Sequence, residues 1–378
     1  MASLHAKLSQ NKKMKSLKNN QSNGIYYFLG NIPQHITHVL PLHALIGGTV
    51  VVTSKAALDT LAPYDVPAVY IDDVPDLFLE LDRKIKKTID YLNENARVIF
   101  VYETFVFKKI KITAPVIMLS HGVPLKDYWV EWKINTVVQN YTYIATLGRF
   151  MREQLVHKGV PEDMLIDIGL SRNDLIINRQ AKYSKREFLR MLPNYKGQPL
   201  ICYMPTYWGA TSVFDTGIEI INNISDKYYL IFKPHPQTPW EAIEKYRQII
   251  SQKHNAHQIP EEEADLLSLY KYADVIIGDM SSVMADAILA DKPIVFAYGG
   301  DENQQDKKLY YPIREAQTTS FSISAGQGDC IDLVIDAARH KKYVKKIAYQ
   351  SVKERLFFNL DGDSRQKIAQ FIIDKFYA

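Results

Sequence analysis

Residues 273–296 read ADVIIGDMSSVMADAILADKPIVF. An apolar run ends at Gly278-Asp279, and the chain passes through Met280, Ser281 and Ser282 straight into a helical pattern. That pattern stops before Asp291-Lys292-Pro293, and a second apolar run starts at Ile294. Short apolar runs bounded by turn residues read as buried strands. A helix between two of them is the crossover that a parallel pair needs.

The same alternation extends in both directions. Upstream, IYYFLG, TVVVTS, PAVYI, RVIFVY and PVIML are predicted strands, followed by PLICYM and YYLIFK in the second half of the chain. Periodic polar stretches such as DLFLELDRKIKKTIDYLNEN and PWEAIEKYRQIISQ lie between them. Near-continuous apolar strands imply sheets covered on both faces. The polar, basic stretch at 178–199 separates two such sheets. The expectation is an α/β protein of GT-B type, with two doubly wound Rossmann-like domains facing each other across a cleft. Residues 1–23 are expected to be a basic disordered leader, 24–180 an acceptor-side domain and 181–345 a donor-binding domain. Residues 346–378 are read as helices that pack back across the domains, with Ser364 as an N-cap after the turn at 361–363.

A chain of 378 residues, 47% hydrophobic and 23% charged, can bury two cores. No run of about 18 apolar residues occurs, so no transmembrane helix is expected. The start of the chain lacks the apolar core of a signal peptide. Cys202 and Cys330 stand far apart, which argues against a disulfide framework and a cysteine metal site. G-x-G-x-x-G, the P-loop pattern and H-E-x-x-H are all missing. The leader holds five lysines and no acid, and the rest of the chain is close to neutral. It reads either as a solvated tail or as a contact for an anionic membrane surface. Nucleic acid is disfavoured because no stacking aromatics accompany the lysines.

Three strand ends carry candidate chemistry. At 119–126, LSHGVPLK presents His121 on a glycine. At 230–238, LIFKPHPQT sets His235 between two prolines that restrict the backbone on both sides. At 279–282 two hydroxyls meet a helix N-terminus, a place where anions bind; a plain cap is the alternative for Ser281.

Taken in order, HGVPLK, GLSRND, YMPT, FKPHP, GDMSSVMADAILADKPIVF and the closing FFNLDGDSRQKI resemble the CDP-glycerol glycerophosphotransferase family, which builds teichoic acids and related capsule polymers. Residues 120–300 carry most of the resemblance. Ser171 replaces a usual proline, Met280 replaces a tyrosine, and PTYWGAT lacks the arginine that follows Pro-Thr-Trp in the family. The resemblance implies transfer of a polyol phosphate from a CDP-glycerol-like donor to a lipid- or saccharide-linked acceptor, releasing CMP.

His121 and His235 are the candidate catalytic residues. One would serve as base and the other would bind or protonate the pyrophosphate, with the order left open. Ser281, Ser282, Asp279, Asp286, Lys233 and Thr206 are the candidate donor contacts. Lys126, Arg172 and Asn173 are assigned to acceptor or phosphate. No cofactor and no protein-held metal are expected. The implied location is the cytoplasm, peripheral at the inner face of the membrane. A nucleotide-sugar glycosyltransferase and a non-catalytic binding module of the same fold are the alternatives.

Overall fold

The computed structural model describes residues 12–20, 23–30, 35–72, 86–102, 112–123, 139–207, 211–260, 264–279, 281–299, 320–341 and 346–377. They form two compact units. One gathers the described residues through 123, from 139 to 174 and from 357 onward; the other holds those from 175 to 356.

The first unit is built on β1 (Ile25–Gly30), β2 (Thr49–Val52), β3 (Ala68–Tyr70), β4 (Val98–Val101), β5 (Val116–Met118), β6 (Tyr143–Ala145) and β7 (Leu165–Ile166). All pair in parallel, in the order β3-β2-β1-β4-β5-β6-β7. The second unit is built on β8 (Leu200–Tyr203), β9 (Tyr229–Phe232), β10 (Ala256–Gln258), β11 (Val275–Gly278), β12 (Ile294–Tyr298) and β13 (Phe321–Ser324). Its strands are also parallel, in the order β10-β9-β8-β11-β12-β13. Each sheet reverses its winding once, between β1 and β4 and between β8 and β11. Ligands of doubly wound sheets bind beyond the strand ends at such switch points. Every residue of β4, β8, β9 and β11 is buried, as helices on both faces require.

The last helix, Ser364–Phe376, belongs to the first unit. Its Ile368, Ala369 and Ile372 enter the core formed by β1, β2, β4 and the helix Ile36–Ile46. The expected N-cap moves by one residue. Asp363 is the cap, and Ser364 is buried as the first helical residue. A distant carboxylate satisfies this end: Asp174 accepts from the backbone N–H of Ser364 at 2.9 Å and of Arg365 at 2.8 Å. Burial raises the Asp174 pKa despite these bonds.

The leader expected to be disordered contains a helix over residues 12–19. Met14 packs against the first core, and Asn23 donates to Leu17 O at 3.1 Å and Ile46 O at 2.9 Å. Met14 and Leu17 are three apart and turn inward together, while Lys12, Lys13, Lys15 and Lys18 stay exposed. Four short strands, β6, β7, β10 and β13, were not among the sequence expectations. They are two to four residues long, β10 and β13 are partly polar, and β7, β10 and β13 lie at sheet edges.

Candidate active site

Beyond the β1–β4 reversal of the first unit lies a cluster of rings. His121 follows β5 through Ser120, a non-glycine residue at φ 60°. The left-handed region costs an ordinary residue roughly 1 kcal/mol or more, so this turn is held by its surroundings. His121 Nδ1 lies 3.0 Å from the carbonyl oxygen of Tyr102, just past β4. A carbonyl only accepts, so Nδ1 is the donor and Nε2 is the lone-pair nitrogen of the neutral ring. The His35 ring stacks on His121 with centroids 4.9 Å apart and planes 16° from parallel. His38 meets His35 edge-on at 5.8 Å and tilts toward Tyr102 at 6.0 Å.

His35 and His38, at 8% and 6% exposed, are both held uncharged. Burial is the main cause for each; the His121 charge adds to it at His35, and Arg172 adds to it at His38. Arg172, half of a buried Arg172-Asn173 pair, is therefore part of this cluster. Ser171 donates its hydroxyl to His38 O at 3.0 Å. Asn173 is buried, and its Oδ1 has no hydrogen-bond partner among the described residues. Lys126 lies outside the described residues.

Sequence reading missed His35, His38 and Tyr102. The signal was present: HITH places two imidazoles one turn apart, four residues beyond the strand IYYFLG. The apolar continuation VLPLHALI made the segment read as core.

In the second unit, Asp279 follows β11 at 2% exposure. Its Oδ1 accepts from Thr206 N at 2.7 Å. Its Oδ2 accepts from Ser212 N at 2.8 Å, Ser212 Oγ at 2.9 Å and Thr211 Oγ1 at 3.4 Å. The carboxylate thus holds the segment that follows β8, and Thr206 is brought to it through its backbone. Gly278 is required immediately before it, because a Cβ there would stand 2.6 Å from Met284 Sδ and 3.1 Å from Met204 O.

His235 stacks on Tyr207 with centroids 4.4 Å apart. Its Nδ1 accepts from the backbone N–H of Gln237 at 3.1 Å, which puts the proton of the neutral ring on Nε2. Lys233, nearly buried at the end of β9, donates to Pro234 O at 3.2 Å. Ser281 caps the helix Ser282–Leu289 by accepting from Val283 N at 3.3 Å. Ser282 is the first helical residue and half-buried. Asp286 is buried and accepts from the Tyr270 hydroxyl at 3.1 Å. Among the described residues no group of three or more His, Cys, Asp or Glu is placed to hold a metal ion. Beyond the strands of each unit a histidine ring is stacked, His121 on His35 and His235 on Tyr207, and His121 and His235 carry opposite neutral tautomers.

Known proteins bear on these units. The family model described as CDP-glycerol:poly(glycerophosphate) glycerophosphotransferase matches residues 80–374. A teichoic acid poly(ribitol-phosphate) polymerase of Bacillus spizizenii is 23% identical over 62% of this chain and 38% of its own length. A teichoic acid glycerol-phosphate primase of Bacillus subtilis is 25% identical over 64% of this chain and 59% of its own length. The chain therefore spans less than two thirds of these relatives. Among solved structures, the wall teichoic acid polymerase TagF superposes with a TM-score of 0.65 at 15% identity, covering 97% of this chain and 94% of that one. That likeness concerns the GT-B-type fold. With the family model covering residues 80–374, most of the sequence, the chain belongs to the CDP-glycerol:poly(glycerophosphate) glycerophosphotransferase family.

Proposed function

We propose that this chain transfers a polyol phosphate from a CDP-linked donor to an acceptor hydroxyl and releases CMP, in the synthesis of a teichoic-acid-like or capsular polymer. The opposite tautomers of His121 and His235 carry this reading. The acceptor hydroxyl loses its proton to His121 Nε2 while its oxygen bonds to the phosphorus that bears the polyol. The phosphorus–oxygen bond to the CMP moiety breaks, and its electron pair leaves with CMP. His235, with the proton on Nε2, presents an N–H to phosphate oxygens and can supply a proton to the departing group. Positioning and charge stabilisation supply most of the rate in such a displacement.

In this reading the first unit serves the acceptor and the second the donor. Ser282 and the N-terminus of its helix offer N–H and hydroxyl donors to the diphosphate. Asp279 and Ser281 shape that surface, and Lys233 supplies positive charge. Arg172 serves the acceptor side. Glycerol is the first head group to test, with ribitol the second, since the relatives divide between them.

The acceptor is lipid- or saccharide-linked, and the protein meets it at an anionic membrane surface. No helix among the described residues is long and apolar enough to cross a membrane. The exposed lysines of the helix at 12–19 supply the attraction at about 1 kcal/mol each near anionic lipid, reduced by salt.

The test is CMP release from CDP-glycerol and CDP-ribitol with a polyol-phosphate-primed acceptor analogue, against UDP- and CMP-sugars. CMP from a CDP-polyol is expected. Turnover of a nucleotide sugar alone would make the chain a glycosyltransferase, and turnover of none would leave a binding module.

A further inference from the structure

We propose that His35 is a positioning residue for His121: its ring, stacked on the His121 imidazole, fixes the plane in which His121 Nε2 points and so the direction from which a hydroxyl proton is taken. The proposal deepens the transfer reading above and rests on it for its kinetic part alone.

His35 occupies the cap position of the helix Ile36–Ile46 and forms no side-chain cap there. Its Nδ1 is buried with no hydrogen-bond partner among the described residues. An unsatisfied buried polar atom costs about 1–3 kcal/mol. One local rule is thus broken by this side chain, as happens where function overrides stability.

The stack supplies the compensation. The bond from His121 Nδ1–H to Tyr102 O fixes one direction of the imidazole but leaves rotation about that direction. A ring lying 4.9 Å away and nearly parallel removes the rotation. The groups around His35 keep it a passive surface. His38, edge-on to it, is itself buried and kept uncharged by burial and Arg172, and a charge on His121 repels a second cation at His35. The N-terminal end of the helix adds positive potential. The proton of the reaction therefore has one destination among the three imidazoles, and the charged His121 ring then rests against a neutral aromatic face.

The experiment compares the full chain with His35→Ala and His35→Phe. The ring-nitrogen NMR spectrum of His121 reports its tautomer in the free protein, and steady-state CMP release from CDP-glycerol reports kcat and the donor KM. In the wild type the Nδ1–H tautomer dominates. His35→Ala is expected to mix the tautomers and to lower kcat by roughly 10–100-fold, with the donor KM within about twofold. His35→Phe, which keeps a flat ring and cannot titrate, is expected to restore both. Unchanged tautomer and kcat in His35→Ala would overturn the proposal, as would a His35→Phe variant as impaired as the alanine. If His35→Ala fails to fold, His35→Leu replaces it, and equal behaviour of the leucine and phenylalanine variants overturns the stack. If the wild type releases no CMP, the transfer reading fails while the tautomer readout still decides the positioning.

Discussion

Asp279 accepts both the backbone N–H and the hydroxyl of Ser212, at 2.8 and 2.9 Å, from 67 residues away in sequence. With Thr206 N on its other oxygen, it fixes the start and end of the segment leading out of β8. Asp279→Ala leaves three buried donors without their acceptor. The second unit should lose about 2–4 kcal/mol in urea unfolding, and calorimetric affinity for CDP-glycerol should fall at least tenfold. Stability and affinity both at wild-type level would remove Asp279 from the donor side.

The two histidines should separate by what they lose. His121→Ala is expected to lower turnover by about 10²–10⁴-fold while donor affinity stays near wild type. His235→Ala is expected to lower turnover comparably and to weaken donor binding as well, because it forfeits an N–H to charged oxygen worth about 1.5–3 kcal/mol. Calorimetry with CDP-glycerol on both variants measures the difference, and equal donor affinities would contradict the division of roles.

Ser281 and Ser282 should differ in the same way. Ser281→Ala removes the cap on Val283 N and should cost about 1 kcal/mol of stability. Ser282→Ala should leave stability within about 0.5 kcal/mol and weaken donor binding instead. If both act only on stability, the hydroxyl pair has no part in donor binding.

Acid should weaken the first unit through His35 and His38. Both titrate below the ordinary histidine range in the folded protein because burial disfavours their charge. In the unfolded chain they take protons near pH 6.5. Below about that pH the unfolded state binds more protons than the native one, so stability falls as pH falls. The slope approaches about 1.4 kcal/mol per pH unit for each histidine. Urea unfolding at pH 7 and at pH 5.5 should show the loss, and His38→Phe should flatten the slope by one proton. A slope unchanged in that variant would mean that His38 is charged when folded.

How much of this was readable in advance depends on whether the determining contacts are local. Ile25–Gly30 and Val275–Gly278 announce themselves as strands because burial on both faces demands unbroken apolar runs. Ala256–Gln258 does not, since an edge strand buries little. His121 and His235 were legible because each interrupts the end of an apolar run. His35 and His38 were hidden at the start of a helix that also carries Ile36, Val39, Leu42 and Ile46 into the core. The position of Asp279 was legible and its partners were not, because Thr206 and Ser212 reach it only through the pairing of β8 with β11. Ser364 looked like a cap because nothing local announces a carboxylate supplied from residue 174.

The placement of the helix Ser364–Phe376 sets a timetable for synthesis. Chains are made from the amino end at roughly 5–20 residues per second, and domains ordinarily finish folding in that order. Here the first unit begins at the amino end but draws Ile368, Ala369 and Ile372 of its core from the last helix. Residues 175–356 must leave the ribosome before that helix exists, an interval of roughly 10–40 s at those rates. During that time the second unit can close, while the helix Ile36–Ile46 presents an uncovered apolar side to the cell's chaperones.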